Sequence, residues 1–515
     1  MEILGGGNLM RLDLDILDTN IELEWAILNL LRKEDRWFST EELAKRLNKT
    51  SSLILKAIAS LRDNLQEFNS EQMILHVSKG KGVYLEIKSS NIDIGLFLIF
   101  LITSTSTYKL FYSIVTENFV SAKKFAFENF LSETTVRRHI KKVKEAIEPY
   151  QLTLNRSTAV LSGREVQVRL FLNMVFWRLF AGKIWPFSNI DEHHLYFVTK
   201  RIASEANIEL SEVQERQVMY LLAISTIRRR NNHYVSIEES WHDLIDGNES
   251  FISFKEKIRP FTPTTQNYPG EMAFLFFLTI IQSESPQTVP LLIGNFRFNR
   301  SKNTPLYQAT EQFMEKFETE IIPVPHSQKR QFLLAAFSEH LFAHLFHNFS
   351  TSISGNEFAP YSHHKLANLK FKLNQLIDEL YQETAHPIFL QKQFLAPRYA
   401  LLLSLIAPLH IFEQRIKIRL ETDLSYIANK SIIAQVKEYF TNVYNITFIG
   451  NDNNNDPADL ILTNIPTQES SGKTNAPEIV SIHRILAPRD FTLIRQALDH
   501  ITEGKEAHQK LHKFS

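Results

Sequence analysis

The sequence predicts a multidomain, mainly α protein: two N-terminal winged helix-turn-helix domains, two all-α domains and a small C-terminal α/β domain. Three observations predict it. Trp37 to about Lys88 and about Ser121 to Gly163 each give a short helix, a capped longer helix and a hairpin. Val166 to Phe412 keeps a mostly helical pattern, broken at Trp185-Pro186, Pro260 to Pro269, Ser285-Pro286 and Gly355 to Pro360. Beyond Ile416, strand-length and helix-length runs alternate, which argues a parallel sheet. The implied divisions are 1–90, 91–165, 166–295, 296–412 and 413–515.

In the first unit, Ser39 and Glu42 make a capping box ahead of Leu43, Ala44 and Leu47. Thr50, Ser51 or Ser52 caps the next helix, whose apolar stripe is Ile54, Ala57, Ile58, Leu61 and Leu65. The opposite face carries Ser52, Lys56 and Ser60. Met73 to Val77 and Val83 to Ile87 flank a turn bracketed by Gly80 and Gly82, giving a hairpin with Lys79 and Lys81 at its tip. A helix laid in a major groove with a basic wing on phosphates needs this layout. Thr50, Ser51, Ser52, Lys56, Lys79 and Lys81 are therefore candidate contacts to double-stranded DNA. The competing reading is a helical hairpin followed by an incidental β-turn.

The second unit repeats the pattern. A short helix runs from Ser121 through Phe127, and Ser132 with Glu133 opens a longer one with a stripe of Val136, Ile140, Val143 and Ile147. Arg137 stacks over Lys141 and Arg138 over Lys142 at i, i+4 spacing, where like charges repel and a polyanion would relieve them. Leu152 to Leu154 and Ala159 to Leu161 flank Asn155-Arg156-Ser157, a second polar-tipped hairpin. Thr134, Thr135, Arg137, Arg138, Lys141, Lys142 and Arg156 join the candidate contacts. A solvated basic face is the competing reading.

The chain holds 515 residues with 57 basic and 57 acidic side chains, so it has no global basic field, and DNA affinity has to come from local, salt-sensitive patches. It has no cysteine, which removes disulfides, thiolate metal sites and cysteine nucleophiles and fits a reducing cytoplasm. Met1 to Met10 has no basic n-region of a signal peptide. The apolar runs Gly95 to Ile102, Met272 to Ile281 and Tyr399 to Pro408 are too short to span a bilayer and suit helices buried in bundles, so no membrane partner is expected. Its 38 phenylalanines suit such cores. The helical region reads as a divergent duplication, each half ending on an apolar helix, near Met272 to Ile281 and near Tyr399 to His410.

His340, His344 and His347 share one helical face at i, i+4, i+7 on a helix beginning near Gln328. They read either as a metal site, without the HExxH pattern, or as a histidine stripe within Leu and Phe packing. His193-His194 and His363-His364 fall in polar breaks. In the tail, Ile416 to Leu420, Ile446 to Ile449, Leu460 to Leu462 and Ile479 to Ile482 are strands, while Ser431 to Phe440 and Pro488 to Ile501 are helices. Gly472-Lys473-Thr474 lacks the upstream glycine of a phosphate-binding loop. No triad, paired-carboxylate motif or nucleotide loop is present, so neither enzymatic activity nor a cofactor or metal is expected.

This order of domains resembles the Mga and AtxA family of virulence regulators from Gram-positive bacteria. The likeness is carried by FSTEELAKRLNKTSSLILKAI with GKGVYL, by LSETTVRRHIKKVKEAI with LSGREVQVRLFLNMVFW, and by IKIRLETD with ADLILTN. The resemblance implies that the helical domains are like the regulation domains of sugar-responsive antiterminators, called PRD domains. Those domains are phosphorylated on histidines by the phosphoenolpyruvate-sugar phosphotransferase system. It also implies that the tail is like an EIIB component of that system. Of the four acceptor positions, the first helical domain shows Leu221 or Leu222 and then Leu278 or Thr279, and the second shows His340 and then Leu405. The resemblance therefore makes His340 the phosphoacceptor candidate, with His344 and His193 weaker ones. A cysteine after the first strand of the tail is missing, which leaves oligomerisation as its role. The resulting expectation is a cytoplasmic transcriptional regulator, an activator. It would be homodimeric through its C-terminal region and in transient contact with the phosphotransferase system's phosphocarrier protein. An RNA-binding antiterminator under the same control is the alternative.

Overall fold

The computed structural model describes residues 19–68, 72–88, 93–155, 158–259, 268–281, 290–351, 353, 366–450, 457–465 and 477–513. Two compact units divide the chain: residues 1–308 with 337–357, and residues 309–336 with 358–515.

In the first unit, helix α1 (Thr19–Lys33) precedes the predicted pattern and buries Ile27 and Leu28 in its core. Helix α2 (Thr40–Leu47) starts where Ser39 Oγ accepts the Glu42 N–H at 3.1 Å. The other half of the expected capping box is replaced: the Glu42 carboxylate takes Arg36 and Arg46 instead, within a cluster that includes Glu34. Asn48, in the left-handed region at φ 51°, turns the chain into helix α3 (Ser51–Glu67). Thr50 caps α3, accepting from Leu53 N. The five stripe residues of α3 are all buried. Strands β1 (Met73–Ser78) and β2 (Gly82–Ile87) form the antiparallel wing, to which Phe38 adds a short bridge through paired 2.8 Å hydrogen bonds with Val83.

Helices α4 (Ile94–Ser104) and α5 (Ser106–Val115) lead into the second winged unit. Its helix pair is α6 (Ala122–Glu128) and α7 (Glu133–Ile147), capped by Ser121 and Ser132. The stripe on α7 differs from expectation at one place: Ile140 is only half-buried, whereas His139 is buried and touches Thr107 Oγ1 at 3.4 Å. The wing is short, with β3 (Thr153–Leu154) pairing β4 (Leu161–Ser162).

Among the described residues seven helices follow: α8 (Glu165–Phe180), α9 (Glu192–Ala206), α10 (Glu212–Arg230), α11 (Glu239–Ile245), α12 (Glu249–Ile258), α13 (Tyr268–Ile281) and α14 (Pro290–Lys302). Helix α8 is buried nearly all round, which is why its apolar residues show no one-sided stripe. Helix α14 runs through residue 295, where a division was expected. Its Asn295 accepts from Asn248 Nδ2 at 2.8 Å, which holds this helix to the preceding ones.

Helices α15 (Pro305–Glu320) and α16 (Lys329–Leu345) are followed by α17 (Ala367–Thr384) and α18 (Lys392–Ser404). In the second unit Phe313 stacks on Tyr399 with centroids 4.0 Å apart. The tail is the expected parallel α/β domain. Strand β5 (Ile416–Glu421) lies between β6 (Ile446–Ile449) and β7 (Leu460–Thr463), with β8 (Glu478–Ser481) on the edge, order β6-β5-β7-β8. Helix α19 spans Tyr426–Phe440, starting earlier than expected because Ser425 caps it, and α20 spans Pro488–Lys513. The segments holding His363-His364 and Gly472-Lys473-Thr474 lie outside the described residues. Among the described residues no single helix is long and apolar enough to cross a membrane.

Candidate nucleic-acid interface

Each winged unit presents its second helix and its hairpin to solvent. On α3, Ser51, Ser52 and Lys56 are exposed, and so are Leu53 and Leu55, two apolar side chains the stripe argument passed over. An exposed leucine beside hydroxyl and ammonium groups suits the methyl of thymine in a major groove. The Thr50 hydroxyl is already engaged as the cap. At the wing tip Lys79 and Lys81 are exposed, and the Lys81 ammonium stands 5.9 Å over the Trp37 ring, which packs against Tyr84. The wing is set by Tyr84, whose hydroxyl donates to Asp35 at 2.8 Å.

On α7, Thr134, Arg137, Arg138 and Lys141 are exposed and Lys142 is half-exposed. The expected repulsion of stacked like charges is met from within the helix: Arg137 pairs with Glu133 at 2.6 Å and Lys141 with Glu145 at 3.6 Å. Arg138 makes no ion pair among the described residues. The Thr135 hydroxyl lies 2.8 Å from Ser132 Oγ and belongs to the cap. Arg156 lies outside the described residues. Fold contact adds what the linear pattern did not: Arg137, Lys141 and Lys144 line one cleft of about 430 Å³ with Ser121 and Asn155, between α7, the start of α6 and the wing. Lys123 and Lys124 are exposed on α6 nearby. Apolar Phe119, Ala122, Ile140 and Ala159 complete its walls, and the three cations on one side suit a phosphate backbone once Glu133 and Glu145 are released.

Residues 18–78 match the M protein trans-acting positive regulator (MGA) HTH domain, and residues 91–176 match the Mga helix-turn-helix domain. In these two N-terminal stretches the chain is similar to the Mga- and AtxA-like regulators. Similar proteins include two capsule synthesis positive regulators of Bacillus anthracis. AcpA is 25% identical over 223 residues, which are 43% of this chain and 45% of that protein. AcpB is 21% identical over 227 residues, 44% and 46% respectively. The anthrax toxin expression trans-acting positive regulator of Bacillus anthracis is 21% identical over 202 residues, 39% and 41%. The matches thus span about half the length of these Mga-type relatives, or less.

The histidines fall differently from the expected face. Helix α16 ends at Leu345, so His347 lies beyond it and the three imidazoles do not continue one helical stripe. Instead His347 is held to α8: its N–H donates to Gln167 Oε1 and its carbonyl accepts from Gln167 Nε2. Burial, and the neighbouring Arg164, keep the His347 pKa below the ordinary value. His340 is fully buried, His344 half-buried and His193 exposed. Among the described residues no three His, Asp or Glu side chains gather to hold a metal ion.

Proposed function

We propose that this chain is a DNA-binding transcriptional activator that works in the bacterial cytoplasm. The observation that carries the reading is the pair of consecutive winged units, each with an exposed, cation-bearing second helix, and both matching Mga-type domains. Positive regulators among its relatives support the sign of its action. Two units in tandem suit one extended duplex site: base contacts come from α3 and α7, and phosphate contacts come from the wings.

Two finer features belong to this proposal. Self-association through the C-terminal α/β domain is supported by its exposed apolar side chains Tyr426, Ile427 and Ile485. Control by phosphorylation is assigned to His340, through a phosphocarrier protein of the sugar phosphotransferase system. This assignment rests on the family pattern of that helix, and the full burial of His340 requires local opening for phosphoryl transfer. Genome-wide mapping of the tagged protein, with anisotropy of duplex fragments from the mapped promoters, tests the main reading. Enrichment at promoters whose transcription falls on deletion of the protein supports it. Preference for single-stranded RNA over every duplex sinks it.

A further inference from the structure

Helices α8, α9, α10 and α13 enclose a cavity of about 280 Å³ whose walls are mainly apolar, with Leu195, Val198, Leu221, Leu275 and Leu278 among them. Four charged groups line it in satisfied states. Glu271 receives two 2.7 Å hydrogen bonds from Arg169 and one from Val235 N. Arg169, itself fully buried, takes Glu165 as a second partner. Asp191 caps α9, and Arg230 donates to the Asn189 carbonyl. His194 is exposed at the rim.

Arg229 stands apart. Its guanidinium lines the same cavity, yet its side-chain contact is a long 3.4 Å hydrogen bond to Thr226 Oγ1, and it makes no ion pair among the described residues. The nearby Glu271 has its oxygens engaged by Arg169 and by Val235 N. Burial disfavours the Arg229 cation; Glu271 offsets this in part, and Arg169 opposes the cation as well. Arg229 is half-buried and its open donors reach the solvent-accessible cavity, where its planar fork matches a carboxylate.

We propose that this cavity binds a small monocarboxylate with an apolar body, the carboxylate on Arg229 and the body against the leucines. A phosphate dianion fits less well, because one guanidinium leaves most of its charge uncompensated beside Glu271. The volume lies at the lower end of small-molecule pockets, which sets the size at a medium-chain or single-ring acid. Leu221 and Leu222, either of which the resemblance sets at an acceptor position, and Leu278, which it sets there as an alternative to Thr279, supply wall here.

The test is calorimetric titration of the full chain with sodium octanoate, octanamide and inorganic phosphate. Octanoate is expected to bind at a single site, octanamide at least about tenfold more weakly for want of the charge-assisted hydrogen bonds, and phosphate not at all. Arg229→Gln should bring octanoate to the level of octanamide, and Leu222→Trp, at a partly exposed wall position, should weaken both. Should Arg229→Gln fail to fold, the comparison of octanoate with octanamide on the unaltered chain decides. Equal binding of the two, no octanoate binding at millimolar concentration, phosphate binding that excludes octanoate, or octanoate affinity untouched by folded forms of both variants would each overturn the proposal.

Discussion

Arg137 and Arg138 are neighbours on α7 but start from different states. Arg137 has to give up Glu133 to reach a phosphate, whereas Arg138 has no acidic partner to leave among the described residues. Each phosphate contact contributes about 0.9 to the slope of log affinity against log salt. Arg138→Ala should therefore flatten the slope by about that amount, and Arg137→Ala by less. Equal slopes for both variants and the unaltered protein would remove α7 from the interface. Histidine protonation gives a second residue-scale expectation. His386 Nδ1 accepts the Ile388 N–H at 3.3 Å, and burial lowers its pKa from 6.5. Burial also lowers His410 and His347. For these groups the unfolded chain binds protons more tightly than the folded one. The stability they contribute is present above about pH 6.5 and is lost as pH falls below it. Thermal unfolding at about pH 7.5 and about pH 5.5 should show the loss. His386→Asn, which keeps a cap acceptor that does not titrate, should lose less, and an identical drop in both would refute the assignment.

At the scale of elements, the caps were the most legible part of the sequence. Ser39, Thr50, Ser121 and Ser132 each start a helix where a hydroxyl meets an orphan N–H, a local rule that needs no knowledge of the fold. What needed the fold was the content of each face. His139 sits three residues after Val136 and four before Val143, so it shares the stripe geometrically, but the polar side chain buried there is met by Thr107, a contact between helices that the sequence pattern does not encode. The cluster of Arg137, Lys141 and Lys144 with Asn155 depends on how the wing folds back, which spacing along one helix does not encode. The same holds for the buried Arg228, which donates to Glu165 and to the Leu161 carbonyl of β4 and so fixes the second wing to α10. The first wing offers an element-scale test. Gly80 and Gly82 both have φ in the left-handed region, at 84° and 97°, but a Cβ on Gly82 would stand 2.0 Å from the Phe38 carbonyl oxygen while Gly80 faces open space. Gly82→Ala should cost more than the roughly 1–3 kcal/mol typical of backbone strain alone, and Gly80→Ala should stay within it. Chemical denaturation of the two variants checks this, and equal losses would mean that the Phe38 bridge yields freely.

For the whole molecule, the division into two units separates the parts that the proposed function uses for DNA binding and for self-association. Both winged units lie in the first. The α/β domain lies wholly in the second, and its strand ends carry an unusual combination. Asp423, after β5, accepts from Asn464 after β7 and pairs with Arg484 after β8, both at 2.6 Å, which ties three loops at one end of the sheet. Asn464 and Arg484 hold the Asp423 carboxyl below its usual pKa. Beside this polar knot Tyr426, Ile427 and Ile485 are exposed by 74%, 80% and 86%. A sheet end that held a nucleophile would need open access, whereas one that holds three exposed apolar side chains beside a polar cluster suits a second copy of itself. Tyr426→Asp combined with Ile427→Asp should convert a dimer to a monomer in light scattering while circular dichroism stays unchanged, because neither side chain contributes to the buried core of the domain. Deleting Arg415 onward should likewise give a monomer, lighter by the deleted residues, without disturbing the winged units. If the double variant and the truncated chain, both folded, remain dimeric, association runs through another surface. DNA affinity separates the roles further: the double variant should keep single-unit contacts and their salt slope but lose the tight binding that two linked copies give to a site with two halves.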